Sequence, residues 1–225
     1  IGVSGRDPKP GARETTEGPF QVDNTRHVVA IGASTGGTKA IEAVLSGLPA
    51  TTPGTVIVQH MPANFTNAFA ERLNRTCRME VREARDNDAL LPGRALVCPG
   101  NVHMVVVRSG GNYTARIKDG PMVHYQRPSV DVLFQSVARN VGRNAVGVLL
   151  TGMGADGAKG LLAMKKSGAA TIAQDEETCV VFGMPKEAIK MGAAERVVPL
   201  PRISTEIMDL LKRRTVSDNN LRDCS

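Results

Sequence analysis

Residues 27–37 are His27-Val28-Val29-Ala30-Ile31-Gly32-Ala33-Ser34-Thr35-Gly36-Gly37. A short apolar strand is followed by a glycine-rich turn, and the apolar spacing after the turn predicts a helix from Thr38 to about Ser46 that ends at Gly47. A strand that leads through such a turn into a helix is typical of an open α/β sheet. Ligands bind beyond the carboxyl ends of the strands in these sheets, so the turn marks a candidate functional site.

Strands and helices alternate along most of the chain. Further apolar segments, each of strand length, lie at residues 55–59, 145–150, 170–173 and 196–199. Segments that predict helices lie at residues 66–74, 129–140, 157–167, 185–190 and 204–213, and Ser129 is a candidate cap for the second of them. Fully apolar strands separated by helices indicate a three-layer, doubly wound α/β fold, whose mostly parallel sheet is covered on both faces.

The middle of the chain interrupts this alternation. Two strands are expected at residues 95–98 and 103–107, around the turn Pro99-Gly100-Asn101. A third is expected at residues 113–117, after the turn Gly110-Gly111-Asn112. Consecutive strands joined by tight turns pair antiparallel, so we expect an antiparallel hairpin excursion from the main sheet.

Length and composition indicate one domain with polar ends. The chain has 225 residues and is 41% hydrophobic, which is enough for one substantial core. Residues 1–27 mix Gly, Pro, Thr and charge without apolar periodicity and are predicted to be a linker. Residues 28–214 are predicted to form the domain, and the polar residues 215–225 a flexible tail.

No segment of the sequence indicates a membrane, an export signal or a metal site. No apolar run approaches the ~18 residues needed to cross a bilayer, and the N-terminus lacks the layout of a signal peptide. We therefore expect a cytoplasmic protein without direct membrane insertion. The four cysteines are scattered without the spacing of metal ligands, so no metal is expected.

The net charge of +6 raises the question of nucleic acid as a partner. With no Trp and only 3% aromatic residues, the chain has few side chains on which bases could stack. The Lys and Arg residues are also spread along the sequence rather than gathered in one stripe. We expect no nucleic acid, and a basic surface would suit an acidic protein partner.

Three chemically capable residues follow predicted strands. Ser34 follows the first strand, His60 follows the strand at residues 55–59, and Asp156 lies just beyond the strand that ends at Leu150. Serine, histidine and aspartate are the parts of an acyl-transfer triad, in which the imidazole takes the proton of the hydroxyl and the carboxylate orients the imidazole. Because parallel strands end at the same edge of a sheet, we expect these side chains to meet. No cofactor is needed for this chemistry.

The turn after Ser34 favours the same interpretation. Its glycines leave space around the hydroxyl, and the unpaired N–H groups of the following helix point toward the place where an oxyanion would form. The turn is similar to the Gly-x-Ser-x-Gly elbow of the α/β-hydrolases, but there the acid precedes the histidine, whereas here the order is Ser, His, Asp.

Each of these features also has a simpler structural explanation. A glycine-rich turn is often a phosphate cradle, His60 alone could be an ordinary loop histidine, and Asp156 could cap the helix that begins at Gly157. His103 and His124 are weaker candidates for the base.

Two other classes of function remain as alternatives. The first is an NAD(P)-binding protein similar to the short-chain dehydrogenases, whose turn resembles residues 32–37. Against it, His60 stands where an acidic residue would hold the ribose, and neither Tyr113 nor Tyr125 is followed by Lys four residues later. The second is a non-catalytic receptor-binding adaptor, which requires a broken triad.

Seven segments together form a recognisable pattern, in this order: Ile31-Gly32-Ala33-Ser34-Thr35-Gly36-Gly37, Val58-Gln59-His60-Met61-Pro62, Pro99-Gly100-Asn101-Val102-His103-Met104, Arg127-Pro128-Ser129-Val130-Asp131, Leu150-Thr151-Gly152-Met153-Gly154-Ala155-Asp156-Gly157, Ala173-Gln174-Asp175-Glu176 and Val181-Phe182-Gly183-Met184-Pro185. Through them, the sequence from Val28 to about Leu200 resembles the catalytic domain of the chemotaxis protein-glutamate methylesterases, the CheB family. The match has no departure at the catalytic positions.

The resemblance implies hydrolysis of glutamate methyl esters on the cytoplasmic helices of methyl-accepting chemoreceptors, for chemotactic adaptation, and possible deamidation of receptor glutamines. It carries the triad over to Ser34, His60 and Asp156, and it implies that the backbone around Thr35 and Met153 lines the oxyanion and substrate site. It also implies a phosphorylatable receiver domain at the N-terminus, which covers the active site until it is phosphorylated, and which we do not expect within these 225 residues.

Overall fold

The structure is a computed structural model that describes residues 26–222, with side chains up to residue 214. Its strands are β1 (Val28–Ala33), β2 (Gly54–Gln59), β3 (Glu80–Glu83), β4 (Asp88–Ala89), β5 (Arg94–Val97), β6 (His103–Ser109), β7 (Asn112–Lys118), β8 (Ala145–Leu149), β9 (Ala170–Gln174) and β10 (Arg196–Val198). Its α-helices are α1 (Gly37–Ser46), α2 (Ala63–Thr76), α3 (Val130–Asn140), α4 (Ala158–Lys166), α5 (Met184–Lys190) and α6 (Ile203–Arg222).

Seven strands form one sheet in the order β10-β9-β8-β1-β2-β5-β3, and every neighbouring pair in it is parallel. The chain moves from β1 to β2 on one side and returns at β8 on the other side, so the strand order reverses next to β1. A reversal of this kind opens a crevice at the carboxyl ends of the strands. The predicted α/β fold is confirmed.

The sheet divides the apolar core in two, because successive side chains of a strand point to opposite faces. Val28 and Ala30 of β1 pack with apolar residues of α3, α4 and α5, and with the second sheet. Val29 and Ile31 pack with apolar residues of α1, α2 and α6. The result is the predicted three-layer arrangement with helices on both faces.

The predicted antiparallel hairpin is present, but one of the three strands expected in this region belongs to the main sheet instead. The pair is β6 with β7, which form a three-stranded antiparallel sheet together with β4. Residues 94–97, expected to pair with the next strand, lie instead in the main sheet between β2 and β3. Ala95, Leu96 and Val97 are fully buried, as a strand covered on both faces requires, whereas β6 is buried at alternate positions over most of its length.

Some boundaries also differ from the expected ones. The edge strand β3 was missed because its sequence, Glu80-Val81-Arg82-Glu83, has a single apolar side chain. Helix α6 ends at Arg222, beyond the predicted end at residue 213. The predicted linker falls mainly on residues 1–25, which lie outside the described residues, as do residues 223–225 of the predicted tail. In the described part of the chain, no helix combines the length and apolarity needed to cross a bilayer.

Candidate active site

The predicted nucleophile and base lie side by side at the carboxyl ends of β1 and β2. Ala33 pairs with Gln59 in the last position of this ladder, and the N–H of His60 donates to the carbonyl of Ala33 at 3.1 Å. On the other side, the N–H of Ser34 donates to the carbonyl of Thr151, just after β8, at 3.0 Å. Backbone hydrogen bonds of Ala33 on one side and of Ser34 on the other thus fix the start of the nucleophile turn at the reversal of the strand order.

His60 forms a short hydrogen bond with Asp156. Its Nε2 lies 2.7 Å from Oδ2 of Asp156, and the side chains of the two residues are 6% and 2% exposed. The other ring nitrogen, Nδ1, is buried and has no hydrogen-bond partner among the described residues, so the Ser34 hydroxyl does not bond it in this structure. An imidazole that donates from Nε2 to the carboxylate keeps Nδ1 free to accept a proton.

The carboxylate of Asp156 is held by the N-terminus of α3. Its Oδ1 accepts from the hydroxyl of Ser129 at 2.7 Å and from the N–H of Asp131 at 3.0 Å. Its Oδ2 accepts from the N–H of Val130 at 2.7 Å, in addition to His60. The N–H groups in the first turn of a helix have no partner within the helix, and together with the positive end of the helix dipole they favour a negative charge.

These hydrogen bonds decide the charge state of Asp156. Burial alone would raise the pKa of this carboxyl, but the hydrogen bonds from His60, from the N–H of Asp131, from Ser129 and from the N–H of Val130 outweigh it. The pKa is therefore held below its ordinary value. Asp156 is a buried carboxylate that stays ionised beside the imidazole.

Asp156 does not cap the helix that follows it, so that alternative was wrong. The N-cap of α4 is Gly157, with φ +91° and no side-chain cap, which leaves Asp156 one residue too early. The side chain that accepts from α4 is Asp131 of α3, whose Oδ1 lies 2.6 Å from the N–H of Gly160. Ser129, predicted to cap α3, does so by accepting from the N–H of Val132.

The two loops that carry Thr35 and Met153 meet around Ser34. The hydroxyl of Thr151 donates to the carbonyl of Thr35 at 2.9 Å. A Cβ added to Gly152 would lie 2.7 Å from Cβ of Ser34, so Met153 follows a residue in close contact with the predicted nucleophile. Within residues 26–222, the N–H groups of Thr35 and Met153 have no hydrogen-bond acceptor. Both are therefore available as donors to a developing oxyanion.

The weaker base candidates, His103 and His124, contact residues at the N-terminal end of α3. His103 is buried, with Nε2 bonded to the carbonyl of Pro121 at 3.0 Å and Nδ1 accepting from the N–H of Ser129 at 3.2 Å. His124 contacts Asp131, with 3.1 Å between Nε2 and Oδ2. Both rings are used for structural contacts near the helix that holds Asp156.

His124, Asp131 and Asp156 form a cluster whose side chains could in principle bind a metal ion. One ligand atom each from His124, Asp131 and Asp156 lie within 4.8 Å of one another. The oxygens of Asp156 already accept four hydrogen bonds, and both oxygens of Asp131 are engaged by Gly160 and His124. Hydrogen bonding therefore accounts for this cluster.

An open apolar groove of about 260 Å³ lies between α1 and α2. Its lining includes Met61, which directly follows His60, and Phe65, whose side chain is 60% exposed. Across the site, Met153 is 75% exposed and Val180 is 69% exposed. The polar centre is thus bordered by apolar side chains that solvent reaches.

Comparisons with known proteins agree with this geometry. The model of the family described as CheB methylesterase matches residues 29–207. The chain is 57% identical over 203 residues to the protein-glutamate methylesterase/protein-glutamine glutaminase 2 of Syntrophus aciditrophicus. The aligned residues cover 90% of this chain and 59% of that relative. It is 60% identical over 187 residues to the protein of the same name from Albidiferax ferrireducens, covering 83% of this chain and 54% of the relative.

A solved structure is also similar. The crystal structure of the Thermotoga maritima CheB methylesterase catalytic domain superposes with a TM-score of 0.80 at 37% identity, over 82% of this chain and 98% of that domain. The chain therefore spans less than two thirds of the two curated relatives but nearly all of a catalytic domain.

Proposed function

Because this chain belongs to the CheB methylesterase family, we propose that it hydrolyses glutamate methyl esters on bacterial chemoreceptors by a Ser34-His60-Asp156 triad. The observation that carries the proposal is the buried 2.7 Å pair of His60 and Asp156, set beside Ser34 with the other ring nitrogen free. The dehydrogenase alternative is wrong, since the family is a different one. The adaptor alternative required a broken triad, and the intact pair argues against it.

The reaction follows from the chemistry of the three groups. The hydroxyl oxygen of Ser34 attacks the ester carbonyl while Nδ1 of His60 takes the hydroxyl proton. The tetrahedral intermediate collapses, the C–O bond to the methoxy group breaks, and methanol leaves with the proton from His60. Water, deprotonated by His60, then hydrolyses the acyl-enzyme to glutamate and free Ser34.

The remaining predicted site residues stabilise charge. Asp156 supports the positive charge on His60 in both steps, and its low pKa keeps it ionised. The free N–H groups of Thr35 and Met153 are proposed to donate to the oxyanion. In other hydrolases, removing one such donor lowers turnover by about 10²- to 10³-fold. No metal or nucleotide takes part in these steps.

The same site could deamidate receptor glutamines, since an amide carbonyl is attacked in the same way and ammonia replaces methanol as the leaving group. The relatives' names combine both activities, protein-glutamate methylesterase and protein-glutamine glutaminase. Both activities are proposed for this chain.

We propose the cytoplasmic helices of methyl-accepting chemoreceptors as the partner and the cytoplasm as the location. The net charge of +6 suits a surface rich in Glu, and the apolar side chains around the site suit a helix face. We also retain the proposals that residues 1–27 are a linker to a regulatory receiver domain and that residues 215–225, of which 215–222 form the end of α6, follow the catalytic domain as a tail.

Methanol release from receptor tests this function. The purified chain is incubated with receptor cytoplasmic fragments carrying labelled methyl esters, and volatile label is measured in the presence of excess chelator. We expect release by the wild type, and a rate for Ser34→Ala that is lower by several orders of magnitude. No release by the wild type, or full release that depends on an added metal, would contradict the proposal.

A further inference from the structure

We propose that Gln59 is a positioning residue, whose side-chain amide fixes the Ser34 and His60 backbones and thereby the direction of the oxyanion donor at Thr35. This inference rests on the proposed function and assigns a role to a residue outside the triad.

Gln59 bridges the two catalytic loops where the strand ladder ends. Its Nε2 donates to the carbonyl of Ser34 at 2.9 Å and to the carbonyl of His60 at 3.0 Å, and the residue is 3% exposed. The last backbone contact between these strands is the hydrogen bond from His60 to Ala33. Beyond it, the side chain of Gln59 ties the loop that carries Ser34 to the loop that carries His60.

The carbonyl of Ser34 is the important acceptor. It also accepts from the N–H of Gly37 at 2.8 Å, so two donors on the protein side fix its direction. A trans peptide is planar, and its C=O and N–H point in opposite directions. The N–H of Thr35 belongs to the same peptide as this carbonyl, so the two donors also aim that N–H away from Gln59.

Gln59 carries a buried polar atom without a hydrogen-bond partner among the described residues, which is typical of a residue with a functional role rather than one that only packs the core. Its Oε1 is buried without a hydrogen-bond partner among the described residues, which lowers stability. A Cβ added to Gly37 would lie 2.1 Å from that oxygen, so the absence of a side chain at residue 37 leaves room for the amide. An apolar side chain of similar size would fill the space without an unpaired acceptor.

The test is Gln59→Met, which keeps the size of the side chain and removes both hydrogen bonds. The matched control is Asn140→Leu. The Nδ2 of Asn140 donates in the same way to two carbonyls, those of Val106 at 3.0 Å and Ser136 at 2.9 Å. It lies at the last residue of α3, whereas the N-terminus of that helix holds Asp156.

Four quantities are measured for each variant: the melting temperature, kcat and KM for methanol release from receptor, and the rate at which a fluorophosphonate labels Ser34. The labelling needs the nucleophile, the base and the oxyanion donors, but no receptor. It therefore tests Gln59 even if the wild type releases no methanol, an outcome that would overturn the proposed function alone.

We expect both variants to melt at a lower temperature and only Gln59→Met to lose chemistry. Its kcat and labelling rate should fall by about 10- to 100-fold, as for a small misplacement of reacting groups, with KM within about twofold of the wild type. Asn140→Leu should keep both rates. If Gln59→Met does not fold, Gln59→Asn replaces it, since it is one methylene too short to reach both carbonyls. Unchanged kcat and labelling rate in the folded variant would overturn the proposal.

Discussion

Asp156 and Asp131 exchange helix caps: Asp156, which precedes α4, accepts N–H groups at the start of α3, and Asp131 of α3 accepts the N–H of Gly160 in α4. The carboxylate that bonds His60 is therefore fixed by a different helix from the one that follows it in sequence. The placement of Asp156 depends on the packing of α3 against α4, and changes at the N-terminus of α3 should reach the active site.

The exchange makes the stability of the protein depend on the charge of Asp156. Its folded-state pKa is lowered, so its ionised form stabilises the fold above the unfolded pKa of about 3.9, and this contribution is lost as the pH falls through the folded pKa. In Asp156→Asn the amide nitrogen cannot accept, so at least one donor of α3 or the ring loses its partner. We expect urea unfolding to show that Asp156→Asn is much less stable than the wild type at pH 7. The difference in unfolding free energy between the two proteins should become smaller below about pH 4. A difference independent of pH would contradict this.

Ser129→Ala should reduce both stability and turnover. The hydroxyl caps α3 and donates to Oδ1 of Asp156, so its loss should cost about 1 kcal/mol for the cap, and more for the hydrogen bond to a charged group. We expect kcat to fall by about tenfold, because the carboxylate that orients His60 is less well held.

The control for this change is Ser136→Ala, which removes another buried serine of α3. Its hydroxyl donates to Leu133 and accepts from Val106, with no link to Asp156. Chemical unfolding and methanol release are measured for both variants. If Ser129→Ala keeps the wild-type kcat, or if Ser136→Ala loses as much, Ser129 has no specific effect on the site.

Gly152→Ala should damage the site by steric overlap. A Cβ there would lie 2.3 Å from Sδ of Met184 and 2.7 Å from Cβ of Ser34. We expect a stability loss of roughly 1–3 kcal/mol, typical of overpacking, together with a strong loss of methanol release. Gly120→Ala is the control, since its Cβ would come no closer than 3.4 Å to another residue, and it should behave as the wild type in both measurements.

Much of this arrangement could be predicted from the sequence, because short apolar strands and glycine turns are local signals. The strand before Ser34, the strand before His60 and the cap at Ser129 lie where they were predicted. Parallel strands end at one edge, which was enough to predict that Ser34 and His60 are neighbours.

The rest depends on contacts between distant segments. Residues 94–97 have the composition of a strand in either sheet, and only the packing on both faces places them beside β2. The interaction of Asp156 with α3 joins residues that are 25 to 27 positions apart. The role of Gln59 had a signal, its position immediately before the predicted base, but its two acceptors could be seen only in the structure.

The central claim is that Ser34 and His60 act as one catalytic unit, and a double-mutant comparison of methanol release tests it most directly. Ser34→Ala and His60→Ala should each lower turnover by several orders of magnitude, and the double variant should lose little more, because His60 has no function without the hydroxyl it serves. The melting temperatures of all three variants establish that they are folded. Effects that multiply in the double variant, or a Ser34→Ala protein that releases methanol at a near-normal rate, would contradict the account.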